Sequence, residues 1–216
     1  MEGELLLPLY LYRFIRLDFV TINLVVILDY TIIILGGILM EFLEIAKSRY
    51  SVRDYKSRKV EPEKLEKILL AAHVAPTAAN LQPVRLIVVQ EDEGLNKVGK
   101  AANLYGAPLA IIVCSEHTKA WTRPFDNKKT VDVDASILTD HMMMEATELG
   151  LGSVWICYFK PDVIKQEFRL PDTLEPINIL AIGYADGIPA DPERHATQRI
   201  LLDELVHYEK LNLIEH

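Results

Sequence analysis

The sequence predicts a mixed α and β domain, and the default arrangement of such a domain is a parallel, doubly wound sheet with helices on both faces. Two observations predict it. Apolar side chains recur at helical spacing, most clearly in residues 131–149. Continuous apolar runs typical of buried strands occupy residues 84–90, 109–114 and 176–185. Residues 40–216 contain no internal repeat and no linker, which indicates one domain.

The first half of this domain begins with a short amphipathic helix at residues 41–48, with Phe42, Ile45 and Ala46 facing inward. Pro62 opens a second helix, which ends before Pro76. The elements that follow are a strand at 84–90, a helix around 95–104, a buried strand at 109–114 and a polar loop or lid at 115–130.

The second half begins with the central helix, which Gly150 is placed to terminate. A strand at 153–159, a helix opened by Pro161, the strand at 176–185 and a charged tail complete the chain. Within residues 40–216, Gly150 and Gly152 form the only close glycine pair, and helix capping explains it better than phosphate binding. The sequence has neither GxGxxG nor GxxxxGK[ST], so any phosphate must be held by side chains.

Residues 1–39 differ in composition from the rest, because residues 19–39 are almost wholly apolar. This stretch of about 20 residues is long enough to span a bilayer, although Asp29 opposes insertion. Three interpretations stay open: a dispensable extension or upstream start, a membrane anchor, and a packed strand or arm. Whether or not residues 19–39 act as an anchor, the flanking basic residues predict that the main domain is cytoplasmic.

Composition excludes some classes of function. The net charge of −8 and the pI near 5.3 argue against a nucleic-acid-binding surface. The two cysteines, Cys114 and Cys157, each lie in an apolar run without metal-ligand spacing. This pattern predicts a cytoplasmic protein without structural zinc.

Two segments carry candidate chemistry. In RYSVR, an extended chain directs Arg49, Ser51 and Arg53 to the same side, where two guanidiniums and a hydroxyl suit a phosphate monoester. The loop PTAANLQP, residues 76–83, offers a hydroxyl and two carboxamides to a flat heterocycle. Taken singly, each is better explained without a ligand, as a solvated basic stretch and an ordinary polar loop.

Taken together and in this order, RYSVRDY, APTAANLQP, LGLGSVWI and ILAIGYADG resemble the nitroreductase family of FMN-dependent oxidoreductases. The resemblance runs from about Met40 to Tyr208. It implies an α+β fold, a three-layer sandwich around a mixed, largely antiparallel sheet, in place of the parallel default. It also implies an intertwined homodimer, with the residues around Tyr208 as an arm on the partner.

The resemblance assigns site residues to FMN. Arg49 and Ser51 would hold the phosphate and ribityl chain, Arg53 would face the pyrimidine edge, and Arg199, with Arg194 as a second candidate, would contact the phosphate. A backbone N–H near Cys157 or Tyr158 would approach flavin N5. The loop at residues 76–83 would come from the partner subunit. The positions at which the resemblance implies contact with FMN are Arg49, Tyr50, Ser51, Arg53, Pro76, Thr77, Ala78, Ala79, Asn80, Gln82, Cys157, Tyr158 and Arg199.

The activity implied by the resemblance is a ping-pong transfer of hydride from NAD(P)H through flavin N5 to a nitroaromatic, a quinone or a similar acceptor. This chemistry needs no side-chain nucleophile. Two alternatives stay open: a specialised relative that fragments flavin or removes halide, and a protein that stores or senses FMN without turnover.

Other conspicuous residues have structural explanations beside functional ones. His141 is more simply a structural helix residue than a proton donor. Asp132 and Asp134 fit a charge pair at a helix N-terminus better than a metal site. Trp121 and Phe125 could cover the flavin and shape the substrate pocket, or could belong to an interface.

Overall fold

The described part of the chain, residues 41–211 of the computed structural model, is organised around a four-stranded sheet in the order β1-β2-β4-β3. The strands are β1 (Val84–Val89), β2 (Leu109–Glu116), β3 (Gly152–Ile156) and β4 (Leu174–Gly183). All three pairs of neighbouring strands are antiparallel. The default expectation of a parallel sheet is therefore wrong, and the α+β architecture is confirmed.

The helices are α1 (Phe42–Ser48), α2 (Pro62–Val74), α3 (Asp92–Gly99), α4 (Val131–Glu148), α5 (Pro161–Phe168), α6 (His195–Gln198) and α7 (Leu202–Leu205). Short 3₁₀ turns occur at Ala78–Asn80 and Pro192–Arg194. None of the helices within residues 41–211 is both long and apolar enough to cross a membrane. The prediction for residues 1–39 lies outside the described residues.

Both faces of the sheet are covered by helices. On one face, α2 and α4 pack through residues such as Ile68 and Met142, and on the other, α3 and α5 pack through Val98 and Ile164. Successive residues of β2 alternate between these two cores, because side chains alternate along a strand. Burial on both sides explains why β2 is a continuous apolar run rather than an alternating one.

The structure differs from expectation at several points, among them the end of β3 at Ile156 rather than residue 159. Phe42 is 69% exposed rather than inward-facing, whereas Ile45 is buried as predicted. The helix expected to reach residue 104 ends at Gly99. Strand β2 continues to Glu116, because its ladder with β4 extends into polar residues.

Gly150 ends helix α4 as predicted. Its φ of 73° lies in the left-handed region, which glycine adopts without steric cost. The Leu151 N–H donates to the Ala146 carbonyl at 2.8 Å, and the Gly150 N–H donates to the Thr147 carbonyl at 3.0 Å. These are the two bonds of a Schellman cap, which turns the chain into β3.

Gly152 has a different role from capping, which corrects the interpretation of the glycine pair. A Cβ built on Gly152 would lie 2.5 Å from Val52 Cγ2. The missing side chain allows the segment around Val52 to pack against β3, where the Val52 N–H donates to the Ser153 carbonyl at 3.0 Å. Ser51 and Ser153 form a parallel bridge there, which makes the sheet mixed at its edge.

Candidate functional site

A cationic cavity of about 190 Å³ lies where the segment after α1 meets the C-terminal part of the chain. Its lining residues are Arg49, Tyr50, Ser51, Arg194, His195, Gln198 and Arg199. Arg49, Tyr50, Ser51 and Arg199 were expected at one site and are brought together here. Guanidinium and hydroxyl donors suit a phosphate, because charge-assisted hydrogen bonds to phosphate oxygens are strong.

The electrostatics of this cavity favour an anion. Burial, and then the nearby charges of Arg194 and Arg199, lower the pKa of Arg49 below its ordinary value, while Asp140 acts in the opposite direction. Three cations this close repel one another. A bound anion would relieve that repulsion, so the cavity has the charge complementarity that a phosphate site requires.

His195 connects the C-terminal part of the cavity to α1. Its Nε2 lies 3.2 Å from the Lys47 carbonyl oxygen, and its Nδ1 lies 3.4 Å from Arg199 Nε. Because the carbonyl only accepts and Arg199 only donates, this pairing requires the tautomer with the proton on Nε2. The imidazole thus orients the Arg199 guanidinium toward the cavity wall.

Arg194 serves mainly as a clamp. Its Nη1 donates to the carbonyls of Asp191 at 2.8 Å and Lys47 at 3.2 Å, and its Nη2 donates to the Arg49 carbonyl at 2.5 Å. These bonds hold the C-terminal part of the chain against the backbone of Lys47 and Arg49. Arg194 contributes charge to the cavity while its donors hold main-chain carbonyls.

Arg53, expected on the same side as Arg49 and Ser51, is exposed and does not line the cationic cavity. Its Nη1 lies 3.4 Å from the Ser51 carbonyl oxygen. Tyr50 packs partly against the core below. Arg49 and Ser51 thus lie at the cavity together with Tyr50, whereas Arg53, the third position of the predicted alternation, lies beyond its edge.

A larger cavity of about 460 Å³ adjoins the cationic one and shares Arg49, His195 and Arg199 with it. Its remaining lining residues are mostly apolar: Phe42, Leu43, Ala46, Lys47, Asp140, Met143 and Met144. Phe42 and Leu43 are 69% and 60% exposed. An apolar surface beside a cationic cavity is typical of a cofactor site or of an interface.

The loop of residues 76–83 has an unusual backbone. Ala79, Asn80 and Gln82 have φ of 50°, 54° and 50°, although each carries a Cβ. Left-handed backbone costs such residues about 1–2 kcal/mol each, and strain of this kind is common at functional sites. Internal bonds support it: the Gln82 N–H donates to Thr77 Oγ1 at 3.1 Å, and Gln82 Nε2 donates to Asn80 Oδ1 at 3.1 Å.

This loop and the cationic cavity lie apart within one chain. Thr77 and Gln82 line a different cavity of about 280 Å³, formed with residues of α2 and β1. The loop contacts α4 at Asp134, whereas the cavities around Arg49 contact α4 at Asp140 to Met144. At 1.5 Å rise per residue, these points are about 9–15 Å apart along the helix. The structure does not unite the two predicted half-sites in a single chain.

Cys157 and Tyr158 follow the end of β3. Both are exposed, Tyr158 almost completely. Tyr158 lines a cavity of about 390 Å³ with Lys100, Asn103 and Lys160, among others. The other cysteine, Cys114, is buried in β2, and burial raises the pKa of its thiol to about 12. The two thiols therefore differ sharply in reactivity.

Residues 121–130 form a small hairpin rather than an irregular lid. Thr122 and Lys129 pair as an antiparallel bridge, and the Thr130 N–H donates to the Trp121 carbonyl at 3.0 Å. Arg123 and Asp126 form an ion pair across the turn. Phe125 is 93% exposed at the tip, and Trp121 is partly buried at the base.

His141 and the acidic pair of α4 have structural partners. His141 Nδ1 lies 2.9 Å from the Ile137 carbonyl oxygen one turn earlier, which agrees with a structural role. Asp132 is exposed, as a charge at a helix N-terminus would be. Asp134 is different, because its carboxylate is fully buried and contacts the loop of residues 76–83.

Sequence reasoning missed His195, Gln198 and the anchoring contact of Asp134. His195 and Arg199 are four residues apart, which is contact spacing on a helix, but nothing in the sequence indicates that they meet Lys47. Asp134 looks like any acidic residue in a first helical turn. Long-range contacts of this kind leave no local pattern.

Comparison with known proteins matches this chain and its fold to one family. A profile of the nitroreductase family matches residues 46–103 and 95–184. A nitroreductase family protein from Clostridium difficile 630 has 63% identity and a TM-score of 0.78, covering 80% of this chain and 100% of its own. An FMN-dependent nitroreductase from Clostridium difficile R20291 has 29% identity and a TM-score of 0.65, covering 78% and 99%.

A relative from Methanothermobacter thermautotrophicus, provisionally named NADH dehydrogenase/NAD(P)H nitroreductase, is 32% identical over 179 residues. The match covers 79% of this chain and 88% of that protein. The profile match spans more than half of the chain, and it includes both the segment around Arg49 and the strained loop. The chain belongs to the nitroreductase family.

Proposed function

We propose that this protein is an FMN-dependent oxidoreductase that takes hydride from NAD(P)H and delivers it, in a ping-pong cycle, to a nitroaromatic, a quinone or a similar acceptor. The observation that carries the proposal is the cationic cavity around Arg49, Ser51 and Arg199, in a chain with a net charge of −8. The names of its relatives, which include an FMN-dependent nitroreductase and an NAD(P)H nitroreductase, support the same chemistry.

The residues present fit FMN. Burial, and then the nearby charges of Arg194 and Arg199, lower the pKa of Arg49, and a phosphate would complement this cluster of cations. The loop adds the carboxamides of Asn80 and Gln82, which are exposed and match the donors and acceptors at the edge of a heterocycle. When bound, FMN would supply the hydride-transfer chemistry, as cofactors do in such enzymes.

The chain's own residues bind, orient and provide charge. Arg49, Arg199 and the Ser51 hydroxyl would hold the phosphate end, with His195 and Arg194 orienting the two cavity walls. Arg53, exposed beyond the cavity, would place a positive charge near the pyrimidine edge. A fixed positive charge there favours developing negative charge without reorganisation cost.

We propose that the site is completed in a homodimer. Within one chain the loop and the cationic cavity lie apart, so a second copy would have to supply the loop. Large apolar side chains that would be costly to leave in water are exposed beside the cavity and along the C-terminal part of the chain, among them Phe42, Leu43, Ile200, Leu201, Leu202, Leu205 and Tyr208.

We also propose that residues 40–216 form the catalytic domain and that it works in the cytoplasm. Cys114 and Cys157 are both free thiols, which agrees with a reducing compartment.

A visible absorption spectrum of the purified full chain tests the proposed function. We expect flavin bands, present as isolated or after reconstitution with FMN, that bleach under anaerobic NADH or NADPH and return when an acceptor is added. Bands that persist with both donors would favour FMN storage or a specialised activity over NAD(P)H oxidation. A protein that cannot be reconstituted with FMN would refute the proposal.

Labelling of the Cys157 thiol tests where the flavin ring of FMN would lie. A maleimide should modify one thiol per native chain, because Cys157 is exposed whereas burial raises the pKa of Cys114 to about 12. If a backbone N–H near Cys157 approaches flavin N5, saturating FMN should slow this labelling at least tenfold. Riboflavin, which lacks the phosphate, is the control at equal concentration. Unchanged labelling with FMN bound would place the ring elsewhere.

A further inference from the structure

Asp134, in the first turn of α4, has a carboxylate with no solvent exposure. Its Oδ1 accepts a hydrogen bond from the Ala78 N–H at 2.8 Å, and its Oδ2 accepts one from Thr130 Oγ1 at 3.0 Å. A buried carboxylate is unfavourable unless it is well paired. Both oxygens of Asp134 are paired, and their partners belong to two different segments.

Helix N-terminal charge does not account for this arrangement. Asp132 lies in the same first turn, is exposed, and meets the helix dipole equally well. The Asp134 N–H donates to the Thr130 carbonyl at 2.9 Å, an ordinary helical bond. The carboxylate is therefore free to bond outside the helix, and it bonds to Ala78 on one side and to Thr130 on the other.

The partner at Oδ1 is the strained loop. Ala78 immediately precedes the left-handed residues Ala79 and Asn80. Within the part of the chain that the structure describes, the other hydrogen bonds of residues 77–82 stay inside the loop or reach Arg85 of the following strand. The bond to Asp134 fixes the loop to a helix of the core.

The partner at Oδ2 is the base of the hairpin of residues 121–130. Thr130 Oγ1 lies 3.3 Å from the Trp121 carbonyl oxygen as well as 3.0 Å from Asp134, and the Thr130 N–H donates to that same carbonyl. Trp121 and Phe125 are the side chains expected to shape the substrate pocket. Asp134 thus lies between the loop of residues 76–83 and the hairpin of residues 121–130.

We propose that Asp134 is a positioning residue for the FMN site: one carboxylate oxygen holds the loop of residues 76–83, and the other holds the base of the hairpin of residues 121–130. Its role toward FMN rests on the proposed function. The carboxylate touches neither cofactor nor substrate and acts through Ala78 and Thr130. The hydrogen bond to Ala78, called here the loop arm, and the hydrogen bond to Thr130, called the hairpin arm, each have a measurable consequence.

The loop arm is tested with Asp134→Ala, Asp134→Asn and the matched control Asp132→Ala. In the protein without FMN, Asp134→Ala should speed amide hydrogen exchange of residues 77–82 at least tenfold. It should also weaken FMN binding about ten- to hundredfold, the scale of losing a charged hydrogen bond. Asp134→Asn keeps an acceptor for Ala78 and should stay within about threefold of wild type in both measurements, because its amide can donate to the Thr130 hydroxyl. Asp132→Ala should change neither.

The hairpin arm is tested with Thr130→Val, which removes the hydroxyl and keeps the shape. Exchange in residues 121–129 should rise while residues 77–82 stay protected, and KM for an acceptor such as a quinone should rise severalfold with FMN affinity unchanged. Unchanged amide hydrogen exchange in residues 121–129 would overturn this half of the proposal. Thr130→Val also carries the test if Asp134→Ala fails to fold.

The outcomes separate this inference from the proposed function. Unchanged loop exchange in Asp134→Ala would overturn the anchoring role whether or not FMN binds. Faster exchange with unchanged FMN affinity would make Asp134 a structural residue only. If wild type binds no FMN, the proposed function fails, and exchange in the unliganded protein alone decides whether Asp134 holds the loop.

Discussion

Arg49→Ala is expected to weaken FMN binding by about 1.5 to 3 kcal/mol, which is the scale of a charge-assisted hydrogen bond. Arg49 lies in the cationic cavity with Ser51 and Arg199, and burial together with its cationic neighbours lowers its pKa. The loss should appear as a dissociation constant about ten- to hundredfold higher in flavin fluorescence titrations.

The same change should not destabilise the protein without FMN. Removing one of three clustered guanidiniums relieves repulsion, so the apo variant should unfold at the wild-type temperature or above it. An equal or higher unfolding temperature together with weaker FMN binding is expected where residues are selected for ligand binding at the expense of stability. Thermal unfolding with and without FMN separates this result from simple misfolding.

Two variants control the experiment. Lys59→Ala removes a positive charge from an exposed side chain that lines none of the cavities described above, and should leave FMN binding within about twofold of wild type because exposed charges contribute little. Arg49→Lys keeps the charge but loses the planar fork, so it should fall between wild type and alanine. If Arg49→Ala holds FMN as tightly as wild type, the phosphate assignment is wrong.

The sequence predicted the elements of the sheet better than their directions. The apolar run of β2 marks a strand covered on both faces, and such runs are most common in parallel sheets. Here each neighbouring pair is antiparallel, because the intervening segments return the chain in the opposite direction. A pattern of side chains reports burial and carries little information about the direction of the neighbouring strand.

The candidate site was likewise predicted only in part from the sequence. Alternation along an extended segment predicted Arg49 and Ser51 at one cavity, but the structure adds Tyr50 to that cavity and leaves out Arg53. The contacts of His195 with Lys47 and of Asp134 with Ala78 join residues 148 and 56 positions apart. Such contacts depend on tertiary packing, which periodicity does not encode.

The C-terminal part of the chain provides the test of assembly. Helix α7 spans Leu202–Leu205, and Leu202 is 73% exposed beside similarly exposed apolar neighbours. In a monomer, Leu202→Glu would change a surface residue and alter stability by no more than about 0.5 kcal/mol. In a dimer that buries this segment, the outcome should be very different.

Burying a leucine contributes about 1.5 to 3 kcal/mol, and a symmetric dimer contains the contact twice, so Leu202→Glu should weaken association by about 3 to 6 kcal/mol. We therefore expect a dimer dissociation constant at least about a hundredfold higher in sedimentation velocity across a concentration series. The FMN content per chain should fall as the dimer dissociates, and it should recover as the protein concentration rises, because the proposed site needs the partner's loop.

Controls distinguish a lost interface from a damaged fold. Asn96→Glu adds an exposed charge on α3 and should leave association unchanged, whereas Leu202→Ala should lie between wild type and Leu202→Glu. A Leu202→Glu protein that remains a dimer with wild-type affinity would show that this segment lies outside the interface. A wild-type chain that stays monomeric while binding FMN tightly would refute the shared site, since one chain would then have to bring Arg49 and the strained loop together by itself.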